Sequence, residues 1–65
     1  MIREKRNARK YTQAQMANML NMSLRQYARI DKEEDISRRY ILRKLIEILN
    51  LSDEDIGMYI RKMVS

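Results

Sequence analysis

Two helix-start signatures close together constrain this chain more than any other feature. Thr12-x-x-Gln15 and Ser23-x-x-Gln26 are both capping boxes. In each, a hydroxyl accepts from the backbone N–H three residues on, and an amide side chain reaches back to the cap residue. Met16, Ala17, Met19 and Leu20 form an apolar stripe after the first box, and Asn21 then supplies a residue that tolerates the left-handed conformation of a helix stop. The pattern predicts one helix over 12–20 and another over 23–31, joined only by Asn21 and Met22. So short a connection makes the second helix cross the first steeply and leaves one of its faces projecting. In that second helix Tyr27 and Ile30 face inward at helical spacing, while Arg25 and Arg29 stand four apart on another face.

The flanking segments also read as helical. Segment 2–10 is polar, helix-favouring and weakly amphipathic, with Ile2 and the stems of its basic residues available for packing. The acidic stretch from Asp31 to Asp35, interrupted by Lys32, reads as a loop. Ser37 is the expected cap of a fourth helix whose Tyr40, Ile41, Leu42, Leu45, Ile46, Ile48 and Leu49 form the spine of the core. Asn50 ends it. Ser52-x-x-Asp55 opens a fifth helix, with acids at its amino end and Arg61 and Lys62 near its carboxyl end, as the helix dipole favours. Ile56, Tyr59, Ile60 and Met63 line one face of it. The six methionines, Tyr27 and Tyr40 are expected in the core. With no proline, a single glycine and no repeat or low-complexity tract, the expectation is an all-α, five-helix fold forming one domain over 1–65. A chain this short builds one small core of marginal stability, and without cysteine no disulfide reinforces it.

Composition narrows the chemistry. No histidine or cysteine is present, there is no glycine-rich phosphate loop, and the chain is too short to enclose a pocket, so no enzyme activity, metal, cofactor or small-molecule ligand is expected. The net charge is +5, unevenly spread. Within residues 1–29, Arg3, Lys5, Arg6, Arg9, Lys10, Arg25 and Arg29 face only Glu4, a net of +6, so the remainder carries −1. A basic half joined to a nearly neutral one points to a polyanionic partner met on one face. No apolar stretch is long enough to span a membrane and residues 1–10 lack a signal-peptide core, so a cytosolic location is expected.

Residues 2–56 resemble the Cro/repressor (Xre-type) helix-turn-helix family. The resemblance is carried by Thr12-Gln13, Met16-Ala17, Leu20-Asn21-Met22-Ser23 and Ile30-Asp31, and further on by Leu49-Asn50-Leu51-Ser52. It implies a double-stranded DNA partner and a transcriptional regulator, bacterial or phage-encoded and cytoplasmic near the nucleoid. The motif covers about residues 12–31, and the helix 23–31 enters the major groove. Leu24, Arg25, Ala28 and Arg29 would then look at base edges. An arginine can bond both acceptors of a guanine, and Leu24 can pack on a thymine methyl. Gln13, Ser23, Gln26, Lys10, Arg38 and Arg39 are the candidate phosphate contacts. Arg6 stands where family members place an arginine that pairs with the acid represented here by Asp31.

Three departures stand out. Asn21 replaces the usual turn glycine, Lys5 takes an often apolar position, and Glu33-Glu34-Asp35 occupies a loop that approaches the DNA backbone in relatives. That loop must turn away, or Arg38 and Arg39 must take over its contacts. The resemblance also implies a homodimer, formed in solution or only on DNA, with Ile56, Met58, Tyr59, Met63 and Val64 as the candidate contact face. The same fold could instead serve as a protein-interaction module, an antitoxin or antirepressor, whose basic face meets an acidic protein.

Overall fold

The computed structural model describes residues 1–34 and 38–64, the last two by their backbone alone. Five helices follow one another: α1 (Ile2–Ala8), α2 (Gln13–Met19), α3 (Leu24–Asp31), α4 (Arg39–Leu49) and α5 (Asp53–Val64).

Three of the five begin as reciprocal boxes. Thr12 Oγ1 accepts from the Gln15 amide at 3.1 Å while Gln15 Oε1 accepts from the Thr12 amide at 2.8 Å. Ser23 and Gln26 repeat the arrangement with both distances at 3.1 Å. Ser52 and Asp55 do the same at the start of α5, again at 3.1 Å for both bonds. Each box satisfies two backbone donors that a helix start would otherwise leave open. The cap expected at Ser37 lies outside the described residues; α4 starts from Arg38, whose side chain makes no capping bond.

The helix ends share a device of their own. Lys10, Asn21, Glu33 and Asn50 all have φ between 53° and 61°. Each lies just after one of α1 to α4, and in each case the following N–H donates back across the turn. The bonds run from Tyr11 to Arg6 O (3.2 Å), Met22 to Ala17 O (2.9 Å), Glu34 to Arg29 O (2.9 Å) and Leu51 to Ile46 O (3.1 Å). These are Schellman closures, which usually employ glycine because a Cβ crowds the left-handed region. Here none does. Lys10 explains why α1 stops at Ala8, short of the expected residue 10.

The core consists of Ile2, Met16, Ala17, Leu20, Tyr27 and Ile30 from the first three helices, with Ile41, Leu45, Leu49, Leu51 and Tyr59 from the remainder. Several expected core residues lie outside it. Tyr40 is 58 % exposed, Met58 54 %, Ile60 39 % and Met19 37 %. Tyr40 stands on the exposed face of α4 with Arg43 and Lys44, turned away from the buried Ile41, Leu45 and Leu49, and Met19 points away from the face that holds Met16, Ala17 and Leu20. Nor is Asp31 a loop residue. It is the last helical residue of α3, and it is buried.

Candidate nucleic-acid interface

The geometry of α3 divides its residues sharply. Tyr27, Ile30 and Asp31 are buried, Ala28 is half-buried, and Leu24, Arg25, Gln26 and Arg29 are exposed. Successive residues advance by about 100° around a helix, so Arg25 points nearly opposite to Tyr27, with Ala28 and Arg29 to either side of it. The apolar side chain of Leu24, 52 % exposed, belongs to this outer surface too.

What holds α3 in place is a buried carboxylate. The side chain of Asp31 is fully buried. Arg6 donates to it twice, from Nε to Oδ1 at 2.8 Å and from Nη2 to Oδ2 at 3.2 Å. Tyr27 donates its hydroxyl to Oδ1 at 3.0 Å from one turn earlier in α3. Gln13 Nε2, at the first residue of α2, reaches Oδ2 at 3.0 Å, and Arg3 Nε reaches it at 3.2 Å. Arg6 also donates from Nη1 to the carbonyl of Tyr11 at 2.8 Å, which fixes the α1–α2 junction. One carboxylate thus ties together the inner face of α1, the start of α2 and the end of α3.

The electrostatics follow from this crowding. Burial opposes the charged form of Asp31, but hydrogen bonds from Arg6, Gln13, Tyr27 and Arg3 outweigh it and hold the group well below the usual carboxylate range. Burial, reinforced by the bond to Asp31, pushes the Tyr27 phenol well above its ordinary value. The hydrogen bond to Asp31 raises Arg6 further still, against its own desolvation.

The acidic loop turns out to be partly internal. Glu33 Oε2 accepts from Lys62 Nζ at 2.8 Å and from the amino group of Met1 at 3.4 Å, and its side chain is only 5 % exposed. Burial opposes its ionisation, yet Lys62 and the amino group keep it low. Lys5, in an often apolar position, pairs with Asp55 at 3.2 Å and links α1 to the start of α5.

The other candidate residues fall as follows. Lys10, Arg38 and Arg39 are exposed, Lys10 at the corner after α1 and the two arginines at the entrance to α4. Ser23 and Gln26 are exposed but engaged in their capping box. Gln13 is half-buried, and one of its amide donors is already given to Asp31. The candidate dimer face needs correction. Tyr59 is 1 % exposed and belongs to the core, and Ile56 packs partly against it, leaving Met58 of that set on the surface. The side chains of Met63 and Val64 lie outside the described residues.

A family model described as helix-turn-helix matches residues 2–56. The chain belongs to the Xre-type, Cro-like helix-turn-helix family. It is a DNA-binding regulator of that family, which is a regulatory and not an enzymatic one. No match emerged among curated proteins or among solved structures. No described helix is long and apolar enough to cross a membrane, and no described group of acids is arranged to hold a metal ion.

Sequence reasoning paired Arg6 with Asp31 but missed the three additional donors. One of them was visible: Tyr27 and Asp31 are four apart, so a tyrosine hydroxyl and a carboxylate share one helix face. Gln13 and Arg3 come from other helices, and no local spacing reveals them.

Proposed function

We propose that this domain is a repressor- or Cro-like transcriptional regulator, of bacterial or phage origin and cytoplasmic, that reads duplex DNA by inserting α3 into the major groove. The observation that carries this reading is the outer face of α3. Leu24, Arg25 and Arg29 are exposed on a helix whose opposite face is anchored through Asp31. Arg25 and Arg29 offer the two-pronged donors suited to guanine edges, and Leu24 and Ala28 suit thymine methyls. Lys10, Gln13, Ser23, Gln26, Arg38 and Arg39 supply backbone contacts in this reading, Gln13 by exchanging its bond to Asp31 for a phosphate.

One helix reads too few base pairs to select a site in a genome. The 65 residues therefore act as one unit of a pair, on half-sites about 34–36 Å apart. Salt titration of binding tests the core of the proposal. With about five phosphates neutralised, log K falls with log salt at a slope near −4 to −5. Replacing Arg25 or Arg29 by Ala costs about 1–3 kcal/mol on the preferred site and relaxes base preference at one position. A protein that retards no duplex at low salt overturns the reading.

A further inference from the structure

On the flank of α1 turned away from Asp31 lies an open groove of about 540 Å³. Lys5, Ala8, Arg9 and Tyr11, from α1 and the corner after it, form one side. Leu49 and Asn50, at the corner between α4 and α5, form the other. Arg3 and Lys5 point about 200° apart at about 100° per residue. Arg3 accordingly reaches Asp31 on one flank of α1 while Lys5 reaches Asp55 on the other. The body of α1 thus stands between the groove and the end of α3.

The two lips of the groove carry opposite charge. Just beyond Asn50 the chain enters α5 through Asp53, Glu54 and Asp55. Lys5 and Asp55 close one ion pair between the lips at 3.2 Å. Arg9, Asp53 and Glu54 are exposed, and among the described residues none of them makes an ion pair. One lip therefore keeps an uncompensated cation, and the other keeps two uncompensated acids.

That polarity selects the partner. DNA or an acidic protein gains at Arg9 but is repelled at Asp53 and Glu54, and a basic protein meets the reverse. A fitting occupant carries both signs in the opposite order. This same surface does so when turned about a two-fold axis, where residue i of one copy meets residue j of the other and j meets i. We infer that the groove is a contact between two copies of this chain, in which Arg9 of each pairs with Asp53 and Glu54 of the other. Its use rests on the reading above, which calls for a pair of reading helices, but the contact itself forms without DNA. It takes the place of the apolar α5 face that the burial of Tyr59 removes. The recognition helix stays uncovered in the pair, because α1 separates its anchored end from the joint. Exposed ion pairs are individually weak and screened by salt, so the association is weak and salt-sensitive.

Sedimentation equilibrium of the whole chain without DNA tests the contact. At low salt and high protein concentration the mean mass should rise towards that of two chains, and added salt should return it to one. Arg9→Glu sets like charges against each other, and Glu54→Arg cancels the acidic lip, so each variant alone should stay a single chain. Mixed in equal amounts they should pair again. One contact then holds the two reversed charges and the other holds the two native ones. Both substitutions are on the surface, and thermal melts should match wild type. A wild type that stays single at low salt, a variant that pairs as wild type does, or a mixture that stays single overturns the contact. Retardation of duplex DNA is read separately, so a failure of α3 to enter DNA leaves the sedimentation result standing.

Discussion

The two halves of this molecule are held by different forces. Around Asp31, helices α1, α2 and α3 meet through directional, charge-assisted bonds of 2.8–3.2 Å in a buried setting. From α4 onward, by contrast, every buried residue among those described is apolar: Ile41, Leu45, Leu49, Leu51 and Tyr59. Apolar packing is non-directional and tolerates small shifts. A hydrogen-bonded carboxylate does not, because each donor must meet its oxygen within a narrow range of distance and angle. The half that carries the proposed reading surface is the half with the more exacting geometry. The difference indicates that position, more than adhesion, is what the Asp31 cluster contributes, since replacing a buried ion pair by apolar residues often stabilises a protein.

The largest effect expected from this contrast is at Arg6. Arg6→Ala leaves a buried carboxylate without its main partner and should cost about 3–5 kcal/mol, enough to unfold so small a domain. In the other half, Leu45→Met keeps volume and should cost less than about 1.5 kcal/mol. Urea midpoints for the two variants measure this directly, and equal losses would erase the distinction. A smaller effect is expected where the halves of the motif cross. Ala17 is 4 % exposed between α2 and its neighbours, so Ala17→Leu should overpack the crossing by about 1–3 kcal/mol. An unchanged thermal melt would contradict the packing described.

The acid response should also report on the first half. The folded state holds Asp31 below its unfolded value, so its contribution is complete above about pH 4 and is lost as pH falls from there. Stability followed by denaturant titration from pH 7 downward should stay level for this group and then decline. Glu33, also held low, adds to the same limb, and Glu33→Gln should make the limb shallower. A profile with no decline below pH 4 would mean that the Asp31 bonds are absent in solution. The smallest effect concerns the second half. Gly57 lies inside α5, and a Cβ there would meet nothing within 4 Å. Gly57→Ala should therefore stabilise by about 0.5–1 kcal/mol through backbone entropy alone, read as a rise in melting temperature. A fall would mean that α5 needs that glycine for an approach not seen here.

Much of the fold was legible because the chain marks its helix starts by local chemistry. Thr12, Ser23 and Ser52 each announce a helix through a partner three residues away, and Asn21 and Asn50 announce ends. The signals that failed were those that depend on where a helix sits in space. Tyr40 adjoins Ile41 in one apolar run, yet it shares its face of α4 with Arg43, Lys44 and Glu47, and only the packing of that helix shows which face turns inward. Tyr59 and Met58 are neighbours in sequence and opposite in burial, which the register of α5 against the rest decides. The corners at Lys10 and Glu33 were hidden because neither residue favours the left-handed region. Glu33 stays there while its side chain reaches Lys62 and the amino group, a contact thirty residues away that no local pattern contains. Of the candidate interface, the outer residues of α3 followed from spacing, whereas the bonds of Gln13 and Arg3 to Asp31 required the other helices to be placed.

The sharp division of α3 between an anchored face and an exposed one has a practical corollary. Tyr27, Ile30 and Asp31 determine where the helix lies, while Leu24 and Arg25 lie exposed on the other side of it. Those outer positions can thus be rewritten as an alphabet without disturbing the page on which they are printed. The reverse does not hold. At eight residues α3 is too short to persist as an isolated peptide, so a transplanted helix would carry its letters but lose its orientation unless Arg6, Gln13 and their carboxylate travelled with it.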